Sequence, residues 1–149
     1  MQTSDFIGII PARYGSTRFP GKPLALLGGM PVIERVWRQV SKVLTHVVVA
    51  TDDERIARAV SGFGGEAVMT SAQHRSGTDR CGEVMQTLAR QGEHYDVVIN
   101  LQGDEPFVKA SQLQELVVNE LEQVVVVVGI KLYKHVVFAS GKVAFNNFG

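Results

Sequence analysis

Apolar residues recur along this chain in two alternating rhythms. Residues 6–10 form a short apolar run closed by Pro11, the pattern of a buried strand. Residues 32–43 then place Val32, Ile33, Val36, Trp37, Val40 and Val43 at helical spacing, with Pro31 suited to a first-turn position. The β-branched run 46–50 predicts a second strand, closed by the polar turn Thr51-Asp52-Asp53. Residues 54–63 carry Ile56, Ala59, Val60 and Phe63 on one face, and Gly64-Gly65 stops that helix. Residues 67–69 predict a short strand and 74–80 a polar loop. Residues 80–90 predict a helix with Cys81, Val84 and Leu88 inward, and 96–101 a fourth strand. Gly103-Asp104-Glu105-Pro106 reads as a turn, and 111–121 as a helix with Ser111 as its N-cap.

Strands that alternate with helices of this length imply βαβ units and a mostly parallel sheet. Right-handed crossovers then gather the loops that follow the strands along one sheet edge, where such folds bind ligands. The chain divides at about residue 123. Residues 124–149 open with five consecutive valines and contain no acidic residue or proline. Two readings of this tail stay open: strands at 124–130 and 135–139, or a shortened or atypical remainder of the same domain.

Composition narrows the function classes. The chain has 149 residues, 45% of them hydrophobic and 20% charged, with a formal net charge of zero. That balance suits an ordinary globular protein and carries no electrostatic footprint for nucleic acid or anionic lipid. Any anion must be held by a few placed groups. Cys81 is the single cysteine, which excludes an intramolecular disulfide and suits a reducing cytoplasm. The valine run is far shorter than the ~20 residues of a membrane span, and the N-terminus does not read as a signal peptide.

Three stretches that follow strands carry candidate chemistry. In Pro11–Pro23, Arg13, Arg18 and Lys22 supply three cations within one loop, and Gly15 and Gly21 let its backbone approach a ligand. The Walker A pattern is absent, so this is a different kind of phosphate loop, or else a basic surface loop. In 100–106, carboxylates at a strand end suit a hard divalent cation shared with phosphates, although Gly-Asp-Glu-Pro is also ordinary turn sequence. In 74–80, hydroxyls and backbone either read a base edge or cap the next helix; an isolated His74 is more often only solvated.

Together these stretches resemble one family. Ile9–Leu24, Val49–Asp53, His74–Arg80 and Gln102–Pro106 are similar, in order, to the motifs of CMP-Kdo synthetases (3-deoxy-manno-octulosonate cytidylyltransferases), and the match covers about residues 5–122. The His-Arg-Ser-Gly-Thr-Asp-Arg stretch separates that family from the CMP-sialic acid synthetases. The resemblance implies a Rossmann-like, GT-A-like three-layer nucleotidyltransferase fold. It implies CTP and Kdo as substrates, Mg2+ as cofactor, a homodimer, and a cytoplasmic step that feeds lipopolysaccharide synthesis. Carried over by residue, Arg13, Arg18 and Lys22 would hold the triphosphate and Asp104 would bind Mg2+. Ser76, Gly77, Thr78 and Arg80 would lie at the cytidine, with Ala12 and Gln102 flanking the nucleotide. The family is longer, and its sugar-binding elements and a late metal-binding Asp have no counterpart in 124–149. Another acid-sugar nucleotidyltransferase, a nucleotide-binding module without catalysis, and a purely structural α/β domain are the competing readings.

Overall fold

The computed structural model describes residues 6–15, 18–75, 77–95, 97–103, 109–118, 130–137 and 143–147. Its centre is β1 (Phe6–Pro11), whose six residues are all buried. β4 (His46–Thr51) lies parallel to β1 on one side and β6 (Val97–Leu101) parallel on the other. β5 (Glu66–Met69) extends the parallel set beyond β4, and β7 (Ile130–Val137) and β8 (Val143–Asn147) add two antiparallel strands beyond β6. The sheet order is β5-β4-β1-β6-β7-β8. The expected mostly parallel sheet is therefore present, with an antiparallel extension.

Strand alternation sorts the core into two halves. Phe6 and Ile10 of β1, Val49 of β4 and Ile99 and Leu101 of β6 face one side. There they meet Ile33, Val36 and Val40 of α1 (Val32–Ser41), Ile56 and Val60 of α2 (Glu54–Gly62) and Leu113 of α4 (Ala110–Val118). Ile7, Ile9, Val48, Ala50 and Val98 face the other side, against Cys81, Val84, Met85 and Leu88 of α3 (Gly77–Arg90). The period of two in the strands and of 3.6 in the helices thus generates three layers. Gly8 lets α1 lie close to β1: a Cβ there would come within 2.9 Å of the Leu44 side chain and 3.1 Å of Val40.

Element ends explain where the structure departs from the sequence reading. α3 starts at Gly77 rather than residue 80, so part of the expected polar loop is the helix's first turn. Small and hydroxylic residues suit a helix start as well as a loop, and pattern alone does not separate the two. Ser111 is exposed inside the first turn of α4 and is not its cap. The Ala110 N–H instead donates to the Gln39 side-chain carbonyl of α1 at 3.1 Å, a cap 71 residues away in sequence. A hairpin of β2 (Leu26–Leu27) and β3 (Met30–Pro31) was not expected. Gly28 and Gly29 turn it with φ of 61° and 81°, the left-handed pair that a tight two-residue turn requires. In the tail, the expected strand 124–130 lies outside the described residues except for Ile130. Of the expected strand 135–139, residues 135–137 lie in β7, which begins earlier, and 138–139 lie outside the described residues; β8 follows. Pairing to β6, from Leu101↔Ile130 to Val97↔Lys134, selects a segment whose mixed polar and apolar order gives no clear strand signal.

Asp53 starts α2 as the sequence indicates, accepting from the Arg55 and Ile56 backbone N–H groups. A hydrogen bond from the Arg55 side chain, reinforced by these backbone donors, holds the Asp53 carboxyl below its ordinary range. An Asp53→Ala variant should lose about 1 kcal/mol of stability at neutral pH in urea unfolding. A depressed folded value means that this contribution is fully present above the unfolded carboxyl's pKa of about 3.9 and fades as pH falls through the folded value. The gap between wild type and variant should therefore close in strong acid; a gap that stays constant there would show that capping is not its source.

Candidate active-site cleft

β1 ends between two neighbours that hold its exit open. Beyond Pro11, the Ala12 N–H donates to the Ala50 carbonyl of β4 at 2.9 Å, and the Gly103 N–H donates to the Pro11 carbonyl at 3.2 Å. The chain after β1 is thus pinned to both flanking strands before it leaves the sheet. Gly103 is needed for this approach. A Cβ there would sit 2.9 Å from both the Pro11 oxygen and the Ala12 Cβ, and 3.2 Å from Ile33.

The loop from Arg13 to Pro23 folds back on itself. The Gly21 N–H donates to the Tyr14 carbonyl at 2.7 Å, and Lys22 begins a 3-10 turn (Lys22–Leu24). Gly21 has φ 72°, and a Cβ on it would press within 2.8 Å of the Tyr14 ring. The Arg55 guanidinium lies over the same ring, 3.4 Å from its centroid, and ties the loop to the start of α2. The sequence carries each residue of this clasp, but nothing in it pairs Tyr14 with Arg55.

Between this loop, the start of α3 and the end of β6 lies a cleft of about 240 Å³. Pro11, Ala12, Arg13, Phe19, Lys22 and Pro23 form one wall; His74, Arg75, Gly77 and Arg80 form the other; Gln102 comes from the end of β6. Six of the expected site residues therefore meet in one place: Ala12, Arg13, Lys22, Gly77, Arg80 and Gln102. Arg18 is exposed on the same loop and does not line the cleft. Thr78 is in the first turn of α3. Ser76 and Asp104 lie outside the described residues. His74, Arg75 and Phe19 line the cleft without having been singled out as site residues. An aromatic amid Arg, Pro and Gly, 52% exposed, was the available signal for Phe19.

The cations of the cleft are not equivalent. Arg80 is 3% exposed, and its guanidinium donates to the Thr70 hydroxyl and to the Ser71 carbonyl at 3.1 Å, with Asp52 at 4.0 Å. It holds the segment after β5 against α3, so its charge is partly committed. Arg13 and Lys22 have no ion pair among the described residues and are available to an anion. Next along α3, Cys81 is buried, and burial pushes its thiol up to about 12. It takes no part in the cleft. Among the described residues no group of three or more His, Cys, Asp or Glu is placed to hold a metal ion. The cleft's described lining is cationic and neutral.

A mostly parallel α/β sheet with a cationic cleft at the carboxyl ends of β1 and β6, where strand order turns, is built to bind a small anionic ligand. Comparison with known proteins makes the class specific. Residues 7–140 match the model of the cytidylyltransferase family. A 3-deoxy-manno-octulosonate cytidylyltransferase of Phocaeicola vulgatus is 64% identical over 109 residues, 73% of this chain and 42% of the relative. An 8-amino-3,8-dideoxy-manno-octulosonate cytidylyltransferase of a Shewanella species is 50% identical over 111 residues, 73% of this chain and 44% of that protein. A solved CMP:2-keto-3-deoxy-manno-octonic acid synthetase complexed with CTP superposes with a TM-score of 0.71 at 44% identity, covering 78% of this chain and 47% of the other. The chain belongs to the cytidylyltransferase family, and it spans less than half the length of these relatives.

Three outcomes test this geometry. Gly103→Ala should cost about 1–3 kcal/mol in urea unfolding, because backbone rather than a flexible side chain must yield. Gly15→Ala, where a Cβ meets nothing within 4 Å, should be nearly neutral. Cys81 should resist thiol reagents in the folded protein at pH 8 and react fully in denaturant; rapid labelling of the native chain would contradict its burial.

Proposed function

We propose that this chain carries the CTP-binding part of an enzyme that transfers CMP from CTP to 3-deoxy-D-manno-octulosonate, giving CMP-Kdo and diphosphate. The observation that carries the reading is the convergence of Arg13, Lys22, Gly77, Arg80 and Gln102 on one cleft in a chain so similar to enzymes named for that reaction. In the reaction the anomeric hydroxyl of the sugar attacks the α-phosphorus. A new O–P bond forms, the bond to the β-phosphate oxygen breaks, and the hydroxyl proton passes to solvent.

Arg13 and Lys22 in the cleft, joined by Arg18 from the exposed part of the same loop, hold the triphosphate and offset the charge that grows on the departing diphosphate. Lys22 is held at the start of its 3-10 turn by a loop already closed through Gly21, so little ordering remains on binding. Ala12 and Gln102 flank the nucleotide, Ser76, Gly77 and Thr78 meet the cytidine, and Arg80 shapes that wall from within. Positioning and electrostatics account for most of the rate. Asp104 is the proposed ligand of Mg2+, which when bound neutralises phosphate charge. The rest of the assignment is a homodimer working in the cytoplasm on the way to lipopolysaccharide; no described helix is long and apolar enough to cross a membrane.

The Shewanella relative favours a second reading, in which the acceptor is an amino derivative of the same sugar acid. Diphosphate release from CTP and Mg2+, measured with each sugar separately, distinguishes the two. Kdo-dependent release is expected, with Lys22→Ala lowering kcat/KM by about 10²-fold. CTP binding without release under either sugar would leave a nucleotide-binding module and remove the enzymatic assignment.

A further inference from the structure

The clasp at Tyr14 lies outside the cleft, yet single peptide links join it to two of the cleft's cations. Arg13 precedes Tyr14, and Lys22 follows Gly21. Tyr14 and Gly21 are locked to each other. The Gly21 N–H donates to the Tyr14 carbonyl at 2.7 Å, and a Cβ on Gly21 would come within 2.8 Å of the Tyr14 ring. The ring also packs against the core half that α1 and α2 cover. Over its face stands the Arg55 guanidinium, 3.4 Å from the centroid.

Arg55 reaches that place already ordered. Its Nε donates to one Asp53 carboxylate oxygen at 3.1 Å and its Nη2 to the other at 2.7 Å, a two-pronged pairing that fixes the guanidinium plane. Asp53 is fixed in turn: its carboxylate accepts from the Arg55 and Ile56 backbone N–H groups, and its own N–H donates to the Thr51 hydroxyl at 3.1 Å. A guanidinium so restrained loses little further freedom by lying on the ring. The pairing also compensates its charge, so Arg55 braces the loop without drawing phosphates away from the cleft. Neither Arg55 nor Tyr14 lines the cleft.

We infer that Arg55 is a positioning residue for nucleotide binding: stacked on Tyr14 from outside the cleft, it holds Arg13 and Lys22 where the triphosphate is received. The inference rests on the nucleotide reading given above. Two cations gathered at one cleft repel each other, and a loop released from α2 lets them part into solvent. Affinity then falls in proportion to the fraction of molecules whose loop is still closed. The Arg55 side chain is 57% exposed, and a cation–π contact at such a site shifts that fraction by up to about fivefold.

The test is calorimetric titration of the full chain with CTP in magnesium buffer, with urea unfolding of each variant alongside. Arg55→Ala should weaken CTP by about fivefold. Its urea midpoint should stay close to that of wild type, because an exposed ion pair adds little to stability. Arg55→Lys, which keeps a cation over the ring but loses the two-pronged pairing, should recover part of the affinity. Tyr14→Leu should weaken CTP to a similar extent, and Tyr14→Phe, which keeps the ring, should recover it. The double variant Arg55→Ala, Tyr14→Leu should bind no more weakly than the weaker single variant, since both remove one contact. Unchanged CTP affinity in Arg55→Ala, an equal loss in Arg55→Lys, or losses that multiply in the double variant would overturn the proposal. If Tyr14→Leu does not fold, the exposed Arg55 variants decide alone. Wild type that fails to bind CTP removes the nucleotide reading and this inference with it; wild-type binding that survives Arg55→Ala undiminished removes this inference alone.

Discussion

Two backbone hydrogen bonds beyond the end of β1 govern the rest of the site. Ala12 donates to Ala50 and Pro11 accepts from Gly103, so the chain leaving β1 is held between the ends of β4 and β6. A parallel sheet exposes its carboxyl edge as unpaired backbone, and here that edge is partly paired before the loops diverge. Every described wall of the cleft is referred to this point. The cation loop leaves from it, Gln102 precedes Gly103, and Gly77 packs so closely that a Cβ would lie 3.0 Å from the Pro11 ring.

The packing that makes this arrangement possible is apolar and two-sided. With α1, α2 and α4 on one face and α3 on the other, β1 has no solvent face, and its side chains serve both core halves. Burying such a strand leaves only its end for chemistry. That is the physical reason why a protein of zero formal net charge can still concentrate cations at one place: the sheet gathers them there.

Within the cleft, charge is divided by carboxylates that never enter it. Asp52 lies 4.0 Å from Arg80 and Glu83 3.6 Å from His74, beside the wall built from the segment after β5 and from α3. The opposite wall keeps Arg13 and Lys22 without such partners among the described residues.

Much of the fold was legible without coordinates, because period and punctuation are local. Val32, Val36 and Val40 declare a helix face, and Asp53 declares a helix start; no distant residue alters either. Arg13 and Lys22 stand out in the sequence as cations of one loop after a strand, and Gln102 through the family resemblance; the structure brings all three to one cleft. Other features depended on tertiary partners that no short window contains. Gln39 caps α4 from α1, Arg55 covers Tyr14, and β7 (Ile130–Val137) is set by its antiparallel pairing with β6. Arg80 reads in sequence as one more cation, and only its burial beside Thr70, Ser71 and Asp52 makes it part of the wall's framework. The sequence by itself determined the alternation of elements and the types of group at their ends. The tertiary structure alone decided which of those groups face one another, because burial and charge compensation arise between segments far apart in the chain.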